Sequence, residues 1–240
     1  MIFIYMQNTQ KKIEEFLQKI NYKDISSSQI KLIRDICGDQ TQQPEILLTL
    51  VSSRYKENLI TPLDGFIYQN LLSLKDTQLN SLIKQYLPEG VVHLKSEKDI
   101  DYSELQMLLS QQKFLQADIL THKKLCELAS IKNNRSWLYF TETTNLPIED
   151  LHTLDNLWRI YSLNRFGFFI QKQILETCQH DWTKFLIKIK WSVNNNLCRY
   201  PNEFIWDLDA PKGHLPLFNQ LRGTQALASL LSHPAWSNYI

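Results

Sequence analysis

Residues 147–161 read Pro-Ile-Glu-Asp-Leu-His-Thr-Leu-Asp-Asn-Leu-Trp-Arg-Ile-Tyr. Leu151, Leu154, Trp158 and Tyr161 recur at steps of three and four, the period of one apolar helix face. Pro147 presets the backbone of the first turn, and Glu149 and Asp150 put carboxylates at the positive end of the helix dipole. The stretch predicts a helix that buries one stripe.

Helical spacing continues on both sides of it. Upstream, Phe114, Ala117, Thr121, Leu125 and Leu128 share a face, and Leu105, Leu108 and Leu109 follow Asp101, which with Glu104 has the spacing of a capping box. Downstream, helices are expected from about Phe169 to Cys178 and from Trp182 to Ile189. After Trp191 the period fails. Residues 192–220 hold Asn194 to Asn196, Pro201, Pro211, Gly213 and Pro216, a long irregular segment of the kind that carries function in compact domains.

The first part of the chain reads as short helices too. Ile13, Phe16, Leu17 and Ile20 form one stripe. Ile30, Ile33 and Ile36 form a second, with an N-cap among Ser26 to Ser28. Leu47, Leu50 and Val51 lie on a third. Leu63, Ile67, Leu71 and Leu74 follow Pro62, and Leu79, Leu82, Ile83 and Tyr86 follow a cap at Asp76 or Thr77. All six tryptophans lie beyond residue 130, and Pro88-Glu89-Gly90 with the charged run Lys95 to Asp101 reads as a connection. The expected fold class is all-α: a small helical bundle over residues 1–95, then a larger helical domain over 96–240 with a long irregular loop.

Composition narrows the function classes. The net charge is +1, from 26 basic and 25 acidic side chains, which does not favour a nucleic-acid binder. No stretch approaches a transmembrane length, and Met1 to Met6 is too short and lacks a basic n-region, so neither a secretory signal nor a transit peptide is expected. The four cysteines form no C-x-x-C pair, and the six histidines show no metal-ligand spacing. There is no glycine-rich phosphate loop and no G-x-S-x-G elbow. Neither an enzyme nor a metal protein is expected.

Four segments then stand out in order. They are Gln116-Ala117-Asp118 with Thr121; Leu151 to Trp158; Arg165-Phe166-Gly167-Phe168 with Gln171; and Ala210-Pro211-Lys212-Gly213-His214-Leu215-Pro216. Together, over about Asp101 to Trp236, they resemble the genomes-uncoupled-four family of tetrapyrrole-binding proteins. The resemblance implies a helical domain shaped like a cupped hand that binds protoporphyrin IX and Mg-protoporphyrin IX. It implies a carrier and activator of magnesium chelatase in chlorophyll synthesis, docking on the large, porphyrin-binding subunit of that enzyme, with no catalytic cofactor of its own. It also implies a monomer, allows a peripheral membrane association, and matches members with an extra N-terminal bundle in algal plastids and cyanobacteria. The expected location is the plastid stroma, with the chain possibly plastid-encoded from its Asn-, Lys- and Ile-rich composition, or a cyanobacterial cytoplasm. The alternative is a ligand-free interaction or signalling module on the same domain. Three positions depart from the pattern: Lys190 stands where glycine is usual, Phe169 where a small residue is usual, and Phe114 where tryptophan is common.

A porphyrin is a flat apolar macrocycle with two propionates, so its site needs aromatic faces and rim cations. Phe166, Phe168 and Trp191 are candidates for stacking, with core as the alternative for each and Trp191, at a helix-to-loop edge, the foremost candidate. Gly167 lets the chain turn between the two phenylalanines. Leu215 and Pro216 are candidates for the pocket wall. His214 has two readings, an approach to chelated magnesium or a hydrogen bond to loop backbone, the second being the commoner use. Arg222 is the candidate rim cation, with Arg199 weaker, and Arg165 reads more readily as a structural partner. Asp155 reads as a partner for a helix N-terminus or an arginine.

Overall fold

The structure is a computed structural model and describes residues 25–38, 43–74, 76–131, 135, 137–218, 224–237 and 239. The chain divides into two compact units, Met1–Val92 and His93–Ile240, close to the division expected at 95/96. The expected helix around Ile13 to Ile20 lies outside the described residues.

In the first unit, α1 spans Ser27–Gly38, α2 Gln43–Lys56, α3 Pro62–Ser73 and α4 Thr77–Tyr86. Their starts are set by side chains that satisfy the free N–H groups of a first turn. The Ser26 N–H donates to Gln29 Oε1 at 2.8 Å and the Gln29 N–H donates back to Ser26 Oγ at 3.3 Å, a reciprocal box. Asp76 accepts from the N–H groups of Gln78 and Leu79 at 2.8 and 2.9 Å. Ile33, Leu47, Val51, Leu63, Ile67 and Leu71 are fully enclosed. Asp64 is buried with them because Arg54 reaches it at 2.8 Å, a pairing that offsets the desolvation of both charges.

In the second unit, α5 spans Ser103–Ser110, α6 Phe114–Leu128, α7 Phe140–Thr143, α8 Ile148–Tyr161, α9 Phe168–Thr177, α10 Trp182–Lys188 and α11 Gln225–Leu231. A single 3-10 turn, Pro234–Trp236, follows α11. Ser192–Val193 (β1) and Asn196–Leu197 (β2) pair antiparallel, with Ser192 opposite Leu197. Asn194 and Asn195 between them both have positive φ, as a two-residue hairpin loop requires. The all-α reading holds apart from this small ladder.

The core forms on the predicted stripe of α8. Leu151, Leu154 and Trp158 are at zero exposure and Tyr161 at 1%. Phe114 packs against Trp158 with centroids 6.0 Å apart, and edge-on against Phe166 at 5.4 Å. The polar ends of these large side chains find partners: Trp158 Nε1 donates to Thr121 Oγ1 at 3.0 Å and the Tyr161 hydroxyl to Gln106 at 2.7 Å. At the start of α8, the buried Asp150 carboxylate accepts from Ser96 Oγ, from the Glu97 N–H at 2.9 Å and from the Tyr102 hydroxyl at 2.7 Å. The segment after residue 95 is thereby fastened to α8, so it belongs to this unit and is no free linker. The capping box expected at Asp101 does not form. Asp101 accepts from the Ser103 N–H at 2.8 Å, while Tyr102 takes the N-cap position.

Candidate functional site

The irregular segment after α10 is ordered by backbone groups rather than by regular structure. The α10 helix ends with Lys190 at φ 60°. The Trp191 N–H returns to the Leu186 carbonyl at 2.8 Å and the Lys190 N–H to that of Ile187 at 3.0 Å, the bond pair of a Schellman ending. This geometry explains why glycine suits position 190: the left-handed region there suits a residue without Cβ.

Residues 210–217 then fold back over the start of α9. The Gly213 N–H donates to the Arg165 carbonyl at 2.8 Å and the Gly167 N–H to that of Leu215 at 3.0 Å. Gln171, fully buried in α9, donates through Nε2 to the carbonyls of Gly213 (3.0 Å) and Pro216 (2.8 Å). Arg165 Nη2 donates to the Ala210 carbonyl at 2.7 Å, so this arginine is a structural partner of the loop. The turn into α9 needs Gly167, whose φ of 133° and ψ of 156° are barred to other residues. The Phe169 N–H behind it donates to the buried Asp155 at 2.9 Å, the helix-N-terminus role expected for that carboxylate.

His214 sits at the centre of this loop with zero exposure. Its Nδ1 bonds the Ile189 carbonyl at 2.6 Å and its Nε2 accepts from the Ile205 N–H at 3.0 Å. This fixes the neutral Nδ1–H tautomer, and burial holds the imidazole below its usual pKa. Both ring nitrogens are used by backbone groups, the commoner of the two uses expected for His214.

The aromatic candidates are enclosed as well. Phe166 and Phe168 are at zero exposure, Trp191 at 1%, Leu215 at zero, and Pro216 is buried. Trp191 Nε1 donates to the His214 carbonyl at 2.7 Å and its ring meets Phe204 edge-on at 6.4 Å. Phe168 meets Phe218 edge-on at 6.3 Å. No face of these rings is open here: Phe166 packs against Phe114 and Trp158, and the returning segment 204–218 meets Phe168 and Trp191. They brace the loop from inside and do not themselves offer a stacking surface in this arrangement. Arg222 lies outside the described residues.

Exposed apolar side chains remain on α6 and on the segment after Trp191, and on α6 Asp118 has a role the sequence did not assign. Asp118 accepts from the Leu217 N–H at 2.7 Å, pinning the end of the loop to α6. Burial pushes this carboxyl up to about 7. Burial, with a smaller contribution from the Asp118 carboxylate, raises the Tyr200 hydroxyl to about 12. Ile119, next in α6, is 55% exposed, and Tyr200 is 39% exposed. Val193 and Leu197, the half-exposed tips of the hairpin three residues before Tyr200, are also uncovered. The available signal for Asp118 was its place four residues after Phe114 on an apolar face. A carboxylate there must find a buried donor. Among the described residues no three His, Cys, Asp or Glu side chains converge as a metal site, and no helix is long and apolar enough to cross a membrane.

Comparison with known proteins gives this arrangement its context. A family model described as GUN4-like matches residues 95–234. An uncharacterized protein, ycf53, of Porphyra purpurea is 42% identical over 234 residues, covering 97% of this chain and 92% of that protein. The tetrapyrrole-binding protein, chloroplastic, of Arabidopsis thaliana is 39% identical over 145 residues, covering 55% of this chain and 54% of that one. The structure of GUN4 from Chlamydomonas reinhardtii superposes with a TM-score of 0.56 at 41% identity, covering 60% of this chain and 96% of that one.

Proposed function

The chain belongs to the GUN4-like family, the genomes-uncoupled-four proteins, and from that membership we propose that it binds a tetrapyrrole through its second unit. The ligand is protoporphyrin IX or Mg-protoporphyrin IX. The chain acts as a carrier and activator of magnesium chelatase and not as a catalyst, docking as a monomer on the large chelatase subunit, in a plastid stroma or a cyanobacterial cytoplasm. The observation that carries the reading is the family match over 95–234, which spans the loop pinned at Asp118.

The contact surface we propose comprises the exposed side chains of Ile119, Val193, Leu197 and Tyr200, and Arg222 stays the rim cation proposed from its sequence position. Phe166, Phe168, Trp191, Leu215, Pro216 and His214 support it from behind. Macrocycle burial against three or four such side chains at about 25 cal/mol per Å² supplies several kcal/mol. Loss of association entropy removes much of it, which leaves an affinity near micromolar.

Titration with deuteroporphyrin tests this. A shifted Soret band and quenched tryptophan emission are expected. Ile119→Ser weakens binding about fivefold or more while leaving the melting curve in place, because the side chain is already half in water. No spectral change at tens of micromolar ligand sinks the ligand, and unchanged affinity in Ile119→Ser moves the surface elsewhere. The enclosure of Phe166, Phe168 and Trp191 favours one second reading, a ligand-free interaction module. The same titration separates the two.

A further inference from the structure

A second concavity lies between α9, the end of α10 and the turn before Gly213. Its volume is about 840 Å³, within the range of small-molecule sites. Ile170 and Ile174 of α9, both buried, form its floor. Gly213 is needed for this shape, since a Cβ there would stand 2.5 Å from Ile174 Cδ1. Lys188 from the last turn of α10 and Lys212 from the turn are on its rim, and both are exposed.

The charge at this rim is not balanced from within. Glu176 also borders the groove, but it is engaged by Lys172 one helical turn back. Lys188 Nζ donates to the neutral Thr177 Oγ1 at 3.0 Å. Among the described residues neither Lys188 nor Lys212 makes an ion pair. Two ammonium groups on different elements therefore flank an aliphatic floor. Lys212 belongs to the Ala210–Pro216 motif, yet it has no part in bracing the loop and none in the surface around Asp118.

We infer that this groove binds an amphipathic carboxylate with an aliphatic body, of the medium-chain fatty-acid class. A small hydrated anion such as phosphate gains nothing from an isoleucine floor. A flat macrocycle seeks aromatic faces, and no aromatic side chain lines the groove among the described residues. A chain carboxylate meets both features, its tail on Ile170 and Ile174 and its head between the lysines. The inference does not rest on the tetrapyrrole reading.

The test is calorimetric titration of the full chain with decanoate below its micelle concentration, beside decan-1-ol, inorganic phosphate and phosphatidylglycerol vesicles. Saturable one-site binding of decanoate is expected, with decanol and phosphate at least about fivefold weaker. Lys188→Gln with Lys212→Gln is expected to weaken decanoate about fivefold, as does raised salt, the combined effect of two exposed cations. Both lysines are on the surface, so the double variant keeps its circular dichroism and its deuteroporphyrin titration. Absence of saturable decanoate binding, equal binding by phosphate, or unchanged decanoate affinity in the double variant overturns the inference. So does vesicle binding that the double variant loses while decanoate fails to bind, which would assign the lysines to a lipid surface. Loss of deuteroporphyrin binding in the double variant would assign them to the tetrapyrrole and overturn it as well.

Discussion

Replacing Gly167 by alanine probes the joint on which the second unit turns. The residue has φ 133° and ψ 156°, and a Cβ there would lie 2.7 Å from Asp155 Oδ1 and 3.1 Å from Arg159 Cγ. Two costs follow. Holding a side-chain-bearing residue in that backbone region costs about 1–3 kcal/mol. Moving Asp155 aside loosens its bond to the Phe169 N–H, a cap-like interaction worth about 1–2 kcal/mol. The sum, roughly 2–5 kcal/mol, is a large share of a domain's stability. For a unit of this size it lowers the melting temperature by roughly 5–20 °C. Urea unfolding followed by circular dichroism measures it. Pairing Gly167→Ala with Asp155→Ser separates the costs, because the serine background removes the collision but keeps the backbone strain. The alanine should then cost about 1–2 kcal/mol less than in the wild type. A loss below about 1 kcal/mol for Gly167→Ala alone would falsify the reasoning.

Lys190→Gly relieves a left-handed residue worth about 1–2 kcal/mol, against about 0.4–1 kcal/mol of added freedom in the unfolded chain. Its urea midpoint should rise by the equivalent of roughly 0.5–1 kcal/mol, and a fall contradicts the Schellman assignment. Asp118→Asn keeps an acceptor for the Leu217 N–H but removes a carboxyl raised from 3.8 to about 7 by burial. A raised carboxyl contributes stability that is fully present below pH 3.8 and lost as pH rises through 7. Wild type should therefore lose on the order of 2 kcal/mol more than Asp118→Asn between about pH 5 and 8, and parallel pH profiles refute it. Trp191→Phe keeps most of the ring and strands the buried His214 carbonyl, costing about 1–3 kcal/mol. Trp191→Ala should cost about 3–5 kcal/mol, so it is a test of folding before it is a test of binding.

Helices were readable where they were long enough to show a period. The α8 stripe at Leu151, Leu154, Trp158 and Tyr161 is the buried face, and the caps at Ser26 and Asp76 are where the residue types placed them. The four-residue α7 is shorter than two turns and carries no period to read. The hairpin had a signal, Asn194-Asn195, but it lay within an Asn-rich run and was read as loop. The site was harder for a physical reason. Phe166 and Trp191 are apolar rings beside irregular backbone, which describes both a pocket wall and a core edge. What decides between them is whether a segment later in the chain returns onto Trp191 and onto the turn beside Phe166. Segment 204–218 does so, through bonds that Gln171, Gly167 and Asp118 make to its backbone. Backbone donors and acceptors carry no residue type, so nothing in the loop's own sequence announces them.

The departures from the family pattern are answered by local packing and not by a change of fold. Phe114, where tryptophan is common, is only 1% exposed and fills its place between Trp158 and Phe166. Phe169 is accommodated by residues that come later in the chain. Its ring meets Trp236 at 6.4 Å and Tyr239 edge-on at 5.1 Å, with the Arg159 guanidinium 5.6 Å from its centroid. Both aromatic partners lie past residue 234, where the family match ends. Phe169 thus joins an aromatic cluster in which Trp236 and Tyr239 also meet His152 and each other. Position 169 therefore reports on how the residues past 234 pack, while the Asp118–Leu217 bond holds the loop to α6 independently of it.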